Sequence, residues 1–212
     1  MKRSSLVERM QNRIEDMKQD ACFSRSDFAD LGSREAISQA LSRLERKGDL
    51  QSPLHGYYCK VRIGKLLGEP LPPNYGALAE AIARNSGWVI LPTGDIVLNE
   101  FGLSTQVPVV WSYVSTGPYR DYDANGRRIE FKHATARDLF NMSRTSAMVV
   151  QALKTIGRAF ASDQVIAKLR DRLTEEERRR LLRETTRTTS WIFEIIRRIA
   201  KGDWDGSSGK IK

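Results

Sequence analysis

The sequence predicts an α+β fold: an N-terminal winged helix-turn-helix, then a small α+β unit, then a C-terminal helical segment. Three observations carry this reading. Between Phe23 and Tyr58 a short polar-apolar segment, a run of helical period and a pair of short hairpin-like runs follow one another. Between Trp88 and His133 the apolar residues come in short strand-like groups around an Asn125-Gly126 turn. From Ala147 onward the apolar spacing becomes helical and stays so.

Leu6, Val7, Met10, Ile14 and Met17 share one helical face, which predicts a first helix from about residue 5 to 18. Its stripe is expected to pack on Phe28, Ile37 and Leu41 in a three-helix core. The short segment Ser26 to Leu31 is broken by Gly32, and Ser33 is placed to cap the helix that follows. From Arg34 to about Lys47, Ile37, Leu41 and Leu44 form the buried stripe, and Gly48 ends the helix. A hairpin is expected next, with Leu50-Gln51-Ser52 outbound, Pro53-Leu54-His55-Gly56 as the turn and Tyr57-Tyr58-Cys59 returning. The Gly- and Pro-rich stretch 61–73 reads as an extended linker. The expected domains are thus 1–60 and 74–202, joined by this linker and followed by a flexible tail, 203–212.

The second domain opens with a helix carrying Leu78, Ala79, Ile82 and Ala83, ending near Asn85-Ser86-Gly87. Strands are expected at Trp88–Leu91, Asp95–Leu98 and Val109–Val114, and Arg128–His133 alternates as a half-buried strand should. The helical segment has stripes at Met148, Val149, Ala152, Leu153 and Ile156, and at Val165, Ile166, Leu169 and Leu173. Thr174-Glu175-Glu176-Glu177 is a capping box, and Trp191, Ile192, Ile195, Ile196 and Ile199 form a last apolar face.

Composition bounds the function. Hydrophobic residues make up 40% and charged residues 29% of the 212 positions, as in globular domains. No apolar run nears the roughly 18 residues of a membrane span, and the N-terminus leads into an amphipathic helix instead of an apolar signal core. A cytoplasmic protein is expected, with no membrane partner. Cys22 and Cys59 sit in apolar contexts and read as buried core thiols. With only these two cysteines and two histidines, and no Cys-x-x-Cys pair, no metal site is expected. Asp121-x-Asp123-x-Asn125-Gly126 opens like a calcium loop, but Lys132 stands where the closing carboxylate belongs, so a hairpin is the better reading. His133 reads as structural, and Ser104-Thr105-Gln106 as a turn. There is no phosphate loop, nucleophile elbow or acid–base carboxylate pair, so no catalytic residue, cofactor or enzymatic activity is expected.

The charge balance points to polyanions: Lys and Arg outnumber Asp and Glu by 35 to 26. The polar face of the 34–47 helix carries Glu35, Ser38, Gln39, Ser42, Arg43 and Arg46 instead of a Glu/Lys lattice. Amide and guanidinium groups read base edges in a major groove, and hydroxyls contact bases or phosphates. The expected DNA-binding residues are Ser33, Arg34, Ser38, Gln39, Ser42, Arg43 and Arg46, with His55 and Tyr57 on the wing. A second basic face comprises Arg178, Arg179, Arg180, Arg183, Arg187, Arg197 and Arg198, interleaved with Glu175–Glu177 and Glu184. It is either a solvated helix surface, a docking face for an acidic partner, or a second grip on DNA.

Gly32-Ser33-Arg34, Gln39-Ala40-Leu41-Ser42-Arg43-Leu44, Gly48, His55-Gly56-Tyr57-Tyr58 and Asn99-Glu100-Phe101-Gly102-Leu103-Ser104-Thr105-Gln106-Val107-Pro108 resemble the antitoxins of type IV toxin–antitoxin systems. These are the AbiEi-like abortive-infection proteins and their shorter relatives. The resemblance spans about Phe23 to Phe140, and the Gly102–Pro108 segment is its more specific part. It implies an N-terminal winged helix that represses its own operon at a promoter, through inverted repeats in double-stranded DNA. It also implies an antitoxin half whose functional partner is a nucleotidyltransferase-like toxin, without a stable complex being required. Three alternatives stay open: a transcriptional regulator without antitoxin activity, a basic module that docks a partner through its C-terminal helices, and an RNA-processing enzyme using the middle domain.

Overall fold

The computed structural model describes residues 5–135 and 141–201, and there the chain is α+β, with two small sheets. The expected flexible tail lies outside the described residues. In order, the elements are α1 (Leu6–Asp16), β1 (Cys22–Ser24), a 3₁₀ turn (Arg25–Phe28), α2 (Arg34–Arg46), β2 (Leu50–Leu54), β3 (Tyr57–Lys60), α3 (Tyr75–Ser86), β4 (Ile90–Pro92), α4 (Gly94–Glu100), β5 (Val110–Ser115), β6 (Arg120–Ala124) and β7 (Arg127–His133). The helices α5 (Arg144–Ile156), α6 (Asp163–Asp171), α7 (Glu175–Glu184) and α8 (Ser190–Lys201) complete it. The chain divides into two compact units. One runs to Val89 and adds Arg120–Glu130; the other takes Ile90–Tyr119 and the chain from Phe131 onward.

In the first unit α1 is fixed at both ends. The Ser5 hydroxyl accepts the Glu8 N–H at 3.2 Å, while the Glu8 carboxylate accepts the Ser5 N–H at 2.8 Å. At the other end Lys60 Nζ donates to the carbonyls of Ile14 (2.7 Å) and Met17 (3.0 Å), adding a side-chain donor to the helix C-terminus. Arg13 forks onto Asp30 at 2.6 and 2.7 Å, and this hydrogen bonding holds the Asp30 carboxyl below its ordinary pKa. Met10, Ile14, Phe23, Phe28, Ile37, Ala40, Leu41, Leu44 and Leu50 form one buried cluster, so the expected stripe of α1 does meet Phe28, Ile37 and Leu41. The segment before Gly32 is a 3₁₀ turn capped by Ser24, not a full helix.

Three expectations are corrected in this unit. The first is the sheet, which has three strands in the order β1-β3-β2; the sequence reading had only the hairpin. The second is the cysteines: Cys22 and Cys59 stand directly opposite each other in the β1–β3 register and form a disulfide instead of two separate core thiols. The third is the boundary. Residues 61–73 close on themselves, with Leu71 N–H on the Arg62 carbonyl at 2.7 Å and Ile63 bridged to Pro70. The helix beyond them, α3, belongs to the first unit and packs on β1 and β3. Its Asn74 cap donates to Asp20 at 2.6 Å, and Arg84 donates to Asp27 at 2.8 Å and to the Cys22 carbonyl at 3.2 Å. Gly and Pro mark a chain that turns. Such residues do not show whether the next helix leaves or comes back.

The four-stranded sheet has the order β4-β5-β7-β6. Asn125 and Gly126 make the turn between β6 and β7, both at positive φ (54° and 76°), as a two-residue type I′ hairpin requires. Asp95–Leu98, expected as a strand, is part of α4. A four-residue apolar run does not separate a strand from a buried helix turn; here Val97 and Phe101, four apart, both enter the core. That core also gathers Val149, Leu153, Leu169, Leu173, Leu181, Ile192, Ile196 and Ile199 from α5 to α8. The capping box at Thr174 and Glu177 is present, and backbone hydrogen bonding from Thr174 lowers the Glu177 pKa.

Candidate nucleic-acid interface

Helix α2 carries most of the residues expected to meet DNA. Ser33 caps it, its hydroxyl oxygen accepting the Ala36 N–H at 3.3 Å. The hydroxyl proton remains available to an anion at the helix N-terminus, where backbone N–H groups already favour negative charge. Residues follow at about 100° intervals around the helix. Ile37, Ala40, Leu41 and Leu44 are buried, which turns Glu35, Gln39, Ser42 and Arg46 to the opposite side, with Ser38 and Arg43 flanking them. Gln39, Arg43 and Arg46 are exposed, and Ser38 and Ser42 are half-buried. Among the described residues, Arg34, Arg43 and Arg46 make no ion pair. The helix stops at Gly48, where the Asp49 N–H returns to the Leu44 carbonyl at 3.1 Å.

Beside the start of α2 lies a concavity of about 420 Å³ lined by Arg25, Ser26, Ala29, Gly32, Arg34 and Ile37. It brings Arg25 next to Arg34, and Arg25 is a residue the sequence reading missed. Its position at the head of a Ser-capped turn is a visible signal, but only the fold shows that the turn faces α2. The hairpin expected as a wing is β2–β3, in which Leu54 pairs with Tyr57 and the exposed His55-Gly56 pair forms the tip. Tyr57 is half-buried, and its hydroxyl accepts from Asn85 Nδ2 at 3.1 Å. Burial raises the pKa of this phenol. Tyr57 thus supports the wing from within, whereas His55 is its outward group. Strand β6 packs on β2, and the exposed Arg120 and Arg127 of the β6–β7 hairpin add cations to the unit. Arg128 is held by Asp121 at 2.6 Å.

The arginines of the second basic face differ in their partners. Arg179 pairs with Glu175 and Arg180 with Glu176, each one turn back along α7. Arg178 donates to the carbonyls of Arg170 (3.2 Å) and Leu173 (2.9 Å), closing the end of α6, and Arg198 pairs with Asp163 at 2.6 Å. Arg183, Arg187 and Arg197 have no ion pair among the described residues.

Other singled-out residues have structural work. Gly102 at φ 66° ends α4: its N–H bonds to the Asn99 carbonyl at 3.0 Å and the Leu103 N–H to the Leu98 carbonyl at 2.8 Å, a Schellman cap. Arg172 lies against it, so that a Cβ on Gly102 would come within 3.0 Å of the guanidinium. Ser104 Oγ then accepts the Gln106 N–H at 3.1 Å, and Gln106 O accepts from Asn99 at 2.7 Å. His133 Nδ1 lies 2.9 Å from the Gly117 carbonyl, which can only accept, so Nδ1 carries the proton.

A profile for a family of unknown function, DUF6088, matches residues 9–181. The chain belongs to DUF6088. The matched span takes in most of α1, all of α2 and the β2–β3 hairpin, and most of α7, and leaves Arg183, Arg187, Arg197 and Arg198 beyond its end. No curated protein matches the chain. Among solved structures, this DUF6088 chain is similar to the RV2827C protein from Mycobacterium tuberculosis, with 14% sequence identity and a TM-score of 0.49 over 93% of this chain and 76% of that one.

Proposed function

We propose that this chain is a bacterial, cytoplasmic antitoxin of the type IV class that represses its own operon, with its N-terminal unit acting as a winged helix-turn-helix on DNA. The observation that carries the DNA half is the outward face of α2, where Gln39 and the unpaired Arg34, Arg43 and Arg46 stand above a closed apolar core. An arginine of this kind is poised for guanine edges or phosphates, and Gln39 for adenine. Arg25 and Ser33 at the helix start would position the protein on the phosphate backbone. His55 would bring the wing tip to the backbone or the minor groove. The antitoxin half rests on the resemblance across Phe23 to Phe140. The docking-module alternative draws less support, because Arg178, Arg179, Arg180 and Arg198 already have partners within the fold.

Two readouts test the two halves separately. A reporter driven by the chain's own promoter should be repressed by the full chain and released by Gln39→Ala; unchanged reporter output with or without the chain would refute repression. Growth of cells expressing a neighbouring nucleotidyltransferase-like toxin should be rescued by the full chain, and by the Gln39→Ala variant equally. Failure of both to rescue would remove the antitoxin assignment and leave only the DNA reading.

A further inference from the structure

One cleft of the second unit is unrelated to α2. It has a volume of about 650 Å³ and lies between one face of α5 and the turn joining α7 to α8. Ala147 and Val150, both buried, form an apolar floor. Lys154, Arg183 and Arg187 surround it from three chain positions. None of the three makes an ion pair among the described residues.

One carboxylate, Glu184, stands in the same wall and offsets part of this charge, leaving the three cations in excess. Glu184 accepts the backbone N–H and the hydroxyl of Ser143, each at 2.8 Å, and so is committed to capping α5. Thr188 and Thr189 line the cleft immediately before α8, a helix with no acidic residue in its first turn. Thr188 is held in place by its hydroxyl bond to the Thr185 carbonyl at 2.7 Å. Three cations without an ion pair among the described residues, set against one carboxylate, leave the cleft net positive and favour an anion. The apolar floor and the side-chain amide of Gln151 add a place for a flat, hydrogen-bonding body. The volume lies within the range of small-molecule sites, roughly 300–1,000 Å³.

We propose that this cleft binds a nucleoside phosphate, with the phosphate on Lys154, Arg183 and Arg187 and the nucleoside over Ala147 and Val150. The ligand is either a free nucleotide or the phosphorylated end of an RNA strand, since both present the same group. The site does not depend on DNA binding by α2.

The test is equilibrium binding to the full chain by calorimetry, using free ribonucleoside mono- and triphosphates, a 5′-phosphorylated RNA tetramer, and inorganic phosphate. Saturable binding of a nucleotide or of the tetramer is expected, and which of the two binds tells the sources apart. Arg183→Ala, Arg187→Ala and Lys154→Ala should each weaken it roughly ten- to hundredfold. Arg179→Ala, whose guanidinium is already paired with Glu175, should leave it unchanged. All three cleft cations are exposed, and an unchanged melting temperature will show that each variant folds. Binding that all variants lower alike would reduce the site to diffuse charge, and affinity for inorganic phosphate alone would remove the nucleoside. Absence of binding by every ligand would overturn the proposal.

Discussion

Ile82→Ala tests whether α3 is a structural part of the N-terminal unit. Ile82 has 0% of its surface exposed, and the helix that carries it packs on β1 and β3. Truncating a fully buried isoleucine costs about 2–5 kcal/mol, from lost transfer energy and the cavity left behind. For a unit of this size each kcal/mol lowers the melting temperature by roughly 4–8 °C. The decisive assay is amide hydrogen exchange in the full chain. If α3 and α2 share one cooperative unit, exchange in α2 and β3 should accelerate along with that in α3. Leu66→Ala, in a loop where Leu66 is 94% exposed, should change neither. Faster exchange confined to α3, with α2 untouched, would mean that α3 is a separate element and that the boundary at 61–73 holds after all.

Arg43→Ala and Gln39→Ala should each weaken binding to a promoter duplex by about 1–3 kcal/mol in fluorescence anisotropy. Both side chains are solvent-exposed, so the melting temperature should stay put. Glu184 governs an acid limb: its partial burial pushes the pKa up, but hydrogen bonds from Ser146 and Ser143 outweigh that and leave it lowered. Its stabilisation is therefore present above the ordinary carboxylate value of about 4.3 and is lost as pH falls through the depressed one. Urea melts of Glu184→Gln should show a shallower loss below about pH 4 than the parent, and parallel curves would refute the role. Reducing the disulfide, whose sequence separation is 37, should cost up to about 4 kcal/mol by loop-closure entropy. Melting curves with and without reductant measure this, and coincident curves with titratable thiols under both conditions would show that no bridge forms.

Features with local causes were legible in the sequence. The stripe of α2, the caps at Ser33 and Thr174, the Asn125-Gly126 turn and the i,i+4 pairs of α7 all follow from residues within about one turn of each other. What escaped reading was non-local. Strand β1 is three residues long and is defined by its partner β3, far along the chain. The return of α3 is held by Asn85, whose side-chain amide oxygen accepts from the hydroxyls of Ser24 (3.2 Å) and Ser26 (2.6 Å) some sixty positions back, at separations of 61 and 59 residues. The pairing of Cys22 with Cys59 follows from that same sheet. On the candidate interface, the residues of α2 could be named from periodicity, whereas Arg25 needed the 3₁₀ turn in place. The C-terminal arginines looked alike in the sequence, and only the fold separates Arg178, spent on backbone carbonyls, from Arg183 and Arg187, which line a cleft.

Sequence-specific recognition by α2 is tested most directly by the affinity of the full chain for a duplex of its own promoter and for a scrambled duplex of equal length, across a salt series. The promoter should bind tighter by roughly three orders of magnitude or more at physiological salt. Arg25→Ala should lower the salt slope by about 1 on both duplexes while preserving their ratio, as loss of a phosphate contact does. Equal affinity of the parent chain for the two duplexes at physiological salt would contradict sequence-specific recognition by α2.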